Sequence, residues 1–276
     1  MEIQWPLVLF TLVAGAGAGT LAAAGAGEFL GAGRRARFLA GVIALILLVA
    51  GGLCSLAHLG QAGNVMAAVT NLGSFSGISL ELIALAVAVV VALVYVLVAG
   101  REGGASKVVG VLGIAVGLAF AYLSGHGYEA VASRPAWAVL PLSLSYLLSS
   151  VATGAFVFVA LQRLQGDDAD AARTPVLLAT IVAALSAVSY VIYAVMVPLG
   201  DSVALFWGGA VLVGGVVAAA AGVFAYMRGS AAVVWLALIA ALAGGLAFRV
   251  VMWMAGSAYL PNLFDIASQD RGLFPL

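Results

Sequence analysis

The residues that could do chemistry here are few and widely spaced: His58, Glu81, His126, Tyr128, Glu129, Arg134 and Arg249. A neutral imidazole accepts a proton near neutral pH, and a partly desolvated carboxylate can take that proton on or orient the ring. An ionisable group inside an apolar layer costs several kcal/mol unless it meets a partner or a wet cavity, so its presence there is a functional hint. Each residue also has a plainer reading. His58 precedes Leu59-Gly60 and suits the last turn of a helix, where it would meet free carbonyls and the dipole. Glu81 falls near a helix start, which the dipole favours in any case. Arg249 could pair with Glu81 or reach outward to water, and Arg134 and Tyr128 suit interfacial anchoring. His126, in Ser-Gly-His-Gly-Tyr, suits a loop.

Other patterns carry less. Gly15-Ala16-Gly17-Ala18-Gly19 has no strand before it and reads as a small-residue helix contact, not a nucleotide loop. Asp167, Asp168 and Asp170 read as a solvated loop. No Ser/His/Asp or metal-ligand spacing is visible. Two histidines could ligate one haem iron axially, but multihaem membrane proteins use more, and neither haem nor metal is expected. The single Cys54 offers no disulfide framework.

The elements that must position these residues follow from composition. The chain has 276 residues, of which 65% are apolar and 8% charged, where a soluble domain carries about 25% charge. Such a surface cannot face water but can face lipid. The 35 glycines suit closely packed membrane helices. A net charge of zero argues against a nucleic-acid partner. Apolar runs long enough to cross a ~30 Å hydrocarbon layer fall at 6–28, 37–59, 78–100, 107–128, 137–163, 175–199, 202–227 and 231–257, the break from Pro198 to Ser202 being the tightest. The expectation is an all-α integral membrane protein, a bundle of about eight transmembrane helices. Residues 1–258 form the transmembrane domain and 259–276 a short extracytoplasmic tail.

With the N-terminus outside, the cytoplasmic connections hold Arg34, Arg35, Arg37, Arg101, Lys107, Arg163, Arg173 and Arg228, against Arg134 and Arg271 outside. That is a clear positive-inside bias, with both termini extracytoplasmic. His58, Glu81, His126, Tyr128, Glu129, Arg134 and Arg249 then share the outer leaflet. The charges of the inner side read as ordinary loop residues.

Several short motifs, in order, carry a family likeness: Trp5-Pro6-Leu7-Val8-Leu9-Phe10-Thr11, Ala57-His58-Leu59-Gly60, Asn71-Leu72-Gly73-Ser74, Ser79-Leu80-Glu81, Tyr128, Arg134-Pro135-Ala136-Trp137, and Ala243 to Arg249. The chain resembles the DmsC family, the membrane anchor subunits of dimethyl sulfoxide reductase, over its whole length at the level of span number and landmark order. The resemblance implies an anchor in a bacterial or archaeal cytoplasmic membrane. It would hold a molybdopterin catalytic subunit and an iron–sulfur electron-transfer subunit on the outer face, and would oxidise menaquinol to menaquinone from the quinone pool of the lipid bilayer during anaerobic respiration. It implies quinol contacts at His58 and Glu81, with Tyr128, Arg134 and Arg249 as further binding positions. The chain departs from the pattern in two places. His126 stands where an arginine is expected shortly before the tyrosine, and Gly244 or Gly245 replaces an acidic residue expected near Arg249.

The chemistry of the residues is compatible with that role. Oxidising a quinol releases two electrons and two protons, so acceptors are needed at its hydroxyls. With no redox group in the chain, the electrons must leave to another subunit. The 60–77 segment, with Val65-Met66-Ala67-Ala68-Val69, is the expected docking ledge. The alternatives are a polysulfide reductase or NrfD-type quinone-interacting anchor, a secondary transporter, for which no inverted repeat is evident, and an anchor without a quinol site.

Overall fold

The computed structural model describes residues 2–59, 70, 72–74, 76–101, 107–166 and 172–256, without the side chains of His58 and Leu59. The segment expected to form the docking ledge, the Asp167–Asp170 run and the C-terminal tail lie largely or wholly outside the described residues.

Among the described residues eight helices are long and apolar enough to cross a membrane. They are α1 (Trp5–Gly27), α2 (Arg34–Leu59), α3 (Gly77–Ala99), α4 (Lys107–Glu129), α5 (Leu140–Leu164), α6 (Arg173–Met196), α7 (Gly200–Arg228) and α8 (Ala231–Ala255). The expected span limits agree to within about three residues. The largest shifts have local causes. α5 starts at Leu140 because Arg134 to Val139 form consecutive turns before Pro141, and α6 ends at Met196 because Pro198 cannot continue it. Local chemistry sets other ends too. Pro6 and Pro141 occupy first-turn positions, where the missing N–H costs nothing. The Ser76 hydroxyl caps α3 by accepting from the Ser79 N–H at 3.3 Å. Gly229, at φ 66°, closes α7 in the left-handed conformation.

The bundle has two halves. α1 to α4 pack around Phe10, Leu21, Leu48, Tyr95 and Phe120. α5 to α8 pack around Tyr190, Tyr193, Phe206 and Phe248 towards one end, and around an alanine-rich centre. α1 and α5 join the halves, and α1 is buried along most of its length. The glycine-alanine run makes this possible. A Cβ on Gly17 would stand 2.9 Å from the Ala44 carbonyl oxygen of α2, and one on Gly19 2.2 Å from the Ser150 carbonyl oxygen of α5. Backbone touches backbone on two sides of α1, as small-residue contacts in membranes require. α7 departs from regularity: Phe206–Val217 is a π-helix, a widened winding usually confined to single turns.

Eight spans return the chain to the end of the bundle where it began. That end, the Trp5 end, holds the last turn of α2, the start of α3, the close of α4 and the close of α8.

Candidate functional site

Glu81 lies in the second turn of α3, against α4 at Gly127. A Cβ on Gly77 would stand 3.0 Å from the Gly127 Cα, so Gly77 lets α3 come against α4 there, and Glu81 Oε2 lies in ordinary contact range (3.7 Å) of a Cβ placed on Gly127. The other oxygen, Oε1, is buried and meets no hydrogen-bond partner among the described residues. This is unusual, since buried polar atoms are nearly always satisfied.

Tyr128, next along α4, stands within electrostatic reach of both Glu81 and Arg249. Its ring packs on Trp137 (5.4 Å between centroids), Tyr146 (5.9 Å) and Trp253 (5.9 Å), and Trp137 meets Trp253 at 5.1 Å. The cluster thus joins α4, the α4–α5 connection, α5 and α8. Trp137 Nε1 donates to the Met252 carbonyl at 2.9 Å. Arg134 donates to the Gly256 carbonyl and lies over the Trp137 ring at 5.1 Å, a cation–π contact.

Arg249 neither pairs with Glu81 nor reaches outward. It is 1% exposed, about 9 Å inside the end of α8 at 1.5 Å per residue. Nε donates to Thr11 Oγ1 (3.1 Å), Nη1 to Ser149 Oγ (3.3 Å) and the Gly245 carbonyl (3.0 Å), and Nη2 to the Thr11 carbonyl (3.2 Å) and Ser150 Oγ (3.2 Å). These five contacts match the five donors of a guanidinium, and each acceptor is neutral. Its face lies over the Tyr146 ring at 4.4 Å. Gly15 lets its acceptor Ser150 come close, since a Cβ there would stand 2.3 Å from Ser150 Oγ. Where the sequence lacks the expected acidic residue, the Gly245 carbonyl, Thr11, Ser149 and Ser150 hold the guanidinium instead.

The structure thus gathers Glu81, Tyr128, Arg134 and Arg249 around one aromatic cluster. His58 occupies the last turn of α2 at the same end, but its side chain lies outside the described residues. His126 stands apart. Tyr122, His126 and Glu129 fall on one face of α4, with the rings of Tyr122 and His126 stacked at 5.8 Å and His126 Nδ1 3.5 Å from Glu129 Oε2. Glu129 also accepts from Ser143.

Three residues of this region have a role that the sequence alone does not give them. Tyr146 is fully buried, and its hydroxyl lies near Thr11 without a hydrogen bond of normal geometry. The Trp253 Nε1 is buried and meets no partner among the described residues. Thr11 joins Arg249 to α1 through both its hydroxyl and its carbonyl. The available signal was a hydroxyl-rich stripe, Ser143, Ser145, Tyr146, Ser149, Ser150 and Thr153, inside an apolar run. The opposite end of the bundle departs from the expectation of ordinary loop charges. Glu28 is no loop charge: its carboxylate is 3% exposed, pairs with Arg37 and accepts from Tyr95 Oη at 2.7 Å. Further from the cluster, an apolar crevice of about 220 Å³ lies between α1, α5, α6 and α4, lined by Ala22, Leu30, Ile114 and Leu178 among others.

Eight apolar spans around a buried polar and aromatic centre define a multi-pass helical membrane protein. The sequence profile of the DMSO reductase anchor subunit (DmsC) matches residues 1–205, and the chain belongs to that family. The match takes in His58, Glu81, Tyr128 and Arg134 and ends before Arg249. No curated relative matches the chain significantly.

Proposed function

We propose that this anchor subunit binds a quinol, menaquinol in the family's setting, at the Trp5 end of the bundle and passes its electrons to an iron–sulfur subunit. The observation that carries the reading is Glu81: a carboxylate within a membrane-spanning bundle, one oxygen buried and unpartnered among the described residues, beside the Tyr128 cluster. A carboxylate in that setting needs a ligand, a proton or water. A quinol hydroxyl supplies a donor, and the aromatic rings suit a flat headgroup.

In this reading His58 and Glu81 each accept one hydroxyl proton while two electrons leave, so quinol becomes quinone plus two protons and two electrons. The electrons pass to a cluster in the partner, which docks at the same end and connects to the molybdenum catalytic subunit. Tyr128 and Trp137 wall the ring, and Arg134 fixes the mouth by holding Trp137 and the end of α8. Arg249 acts from behind the cluster, because its five donors are already engaged. The positive-inside bias supports an extracytoplasmic position for this end, in a bacterial or archaeal cytoplasmic membrane.

The test is quinol oxidation by membranes carrying the intact complex, comparing wild type with His58→Ala and Glu81→Gln, with subunit assembly followed in parallel. Collapse of quinol oxidation, while a soluble artificial donor still drives the reductase, is the expected result. Unchanged quinol oxidation in both variants would remove the site from this end.

A further inference from the structure

We propose that Tyr146 is a quinol-binding residue whose hydroxyl meets an oxygen of the ring headgroup, with Trp253 Nε1 as a second donor to the same ligand. The inference rests on the quinol reading and adds two residues to it.

Of the six buried side-chain polar atoms without a hydrogen bond of normal geometry among the described residues, three occur in this one neighbourhood: Glu81 Oε1, Tyr146 Oη and Trp253 Nε1. Tyr128 links them. Its ring lies 5.9 Å from that of Tyr146 and 5.9 Å from that of Trp253, and its chain neighbour Gly127 faces Glu81. Such atoms are uncommon in folded proteins, and the hydrocarbon layer supplies no water to those that lie within it. Grouped together, they describe a ligand.

The three groups also describe its chemistry. A carboxylate accepts, an indole N–H donates, and a phenol does both. Quinol oxidation changes a hydroxyl donor into a carbonyl acceptor. The Tyr146 hydroxyl can accept from the first and donate to the second by rotating about its C–O bond. It therefore serves both redox states and takes up no net proton, since the two released protons go to His58 and Glu81. Trp253, a donor only, meets a lone pair of the ring oxygen in either state.

The surroundings hold Tyr146 ready for this. Its ring is fixed by Tyr128, by Phe248 at 6.1 Å and by the Arg249 guanidinium over its face. A cation on the ring face draws electron density from the phenol and makes its O–H a stronger donor. Arg249 needs no contact with the ligand to act this way.

The experiment uses the intact complex in membranes. A hydroxyquinoline N-oxide, a quinol analogue whose fluorescence is quenched on binding, is titrated against wild type, Tyr146→Phe, Trp253→Phe and Glu81→Gln, and quinol oxidation is resolved into KM and kcat. Tyr146→Phe keeps the ring and the Arg249 contact and removes only the hydroxyl. It is expected to bind the analogue about tenfold more weakly, the equivalent of one hydrogen bond, and to raise KM with the subunits still assembled. Should that variant not assemble, Trp253→Phe decides by the same titration. Wild-type binding and KM in Tyr146→Phe and Trp253→Phe, with loss in Glu81→Gln, would overturn this proposal and leave the quinol site standing. Wild-type behaviour in all three would overturn both.

Discussion

The Tyr95 hydroxyl donates to the Glu28 carboxylate at 2.7 Å and to the Ala24 carbonyl at 3.0 Å, at the end of the bundle opposite Glu81. Glu28 closes α1, Tyr95 sits near the close of α3, and Arg37 completes the set from α2. Among the described residues two carboxylates thus stand in opposite conditions: Glu28 is buried and engaged, and Glu81 has one buried oxygen without a partner.

That contrast predicts opposite phenotypes. Glu28→Gln breaks a largely buried ion pair and leaves Arg37 without its carboxylate, at a cost of up to ~3 kcal/mol, reduced because Arg37 is partly exposed. Thermal unfolding of the detergent-solubilised complex is expected to shift down, with KM for quinol unchanged. Glu81→Gln is expected to do the reverse. A shifted KM in Glu28→Gln would contradict the division.

Arg249 binds α8 to α1 and α5. Arg249→Met removes four interhelical hydrogen bonds, and the Thr11 carbonyl and the hydroxyl oxygens of Thr11, Ser149 and Ser150 lose the guanidinium that donates to them. At about 0.6 kcal/mol for each such bond in a membrane, the loss is about 2 kcal/mol. Denaturant titration in mixed micelles measures it, and an unchanged midpoint would show that the network adds nothing.

Close backbone approach makes certain glycines irreplaceable. A Cβ on Gly154 would stand 2.1 Å from the Gly19 carbonyl carbon, whereas one on Gly208 meets nothing within 4 Å. Gly154→Ala is expected to cost more than the ~1–3 kcal/mol of ordinary overpacking, because backbone and not a side-chain tip must move. Gly208→Ala should be nearly neutral. Membrane levels and melting temperature of the two variants check the pair, and equal tolerance would mean that α1 and α5 can separate cheaply.

Orientation is open to direct labelling. In a Cys54→Ser background, Ser133→Cys is expected to react with an impermeant maleimide in intact cells. Gln165→Cys should react only after permeabilisation. The opposite pattern would place the Glu81 end in the cytoplasm.

The spans were legible because membrane length and hydropathy speak through twenty residues at a time, and the breaks carried arginines, prolines and glycines. The site was legible only where an ionisable residue interrupts an apolar run, as at Glu81 and Arg249. Tyr146 and Trp253 gave no such signal. Aromatic residues are at home in such spans, and their open polar atoms become visible only when four separate segments are brought together. Glu28 failed for another reason: at the edge of a span a carboxylate reads as a loop residue until Arg37, nine positions on, folds back onto it. The partners of Arg249 lie about 100 and 238 positions away, beyond any local pattern.

Those separations bear on biogenesis. Thr11 enters the bilayer with the first helix and Ser149 and Ser150 with the fifth, while Arg249 leaves the ribosome only with the eighth. Until then their oxygens lack the guanidinium that donates to them, and the two halves lack their shared clasp. Closure of the bundle thus waits for α8, and a chain cut before that helix would lack the Arg249 contacts that hold α1 and α5 to it.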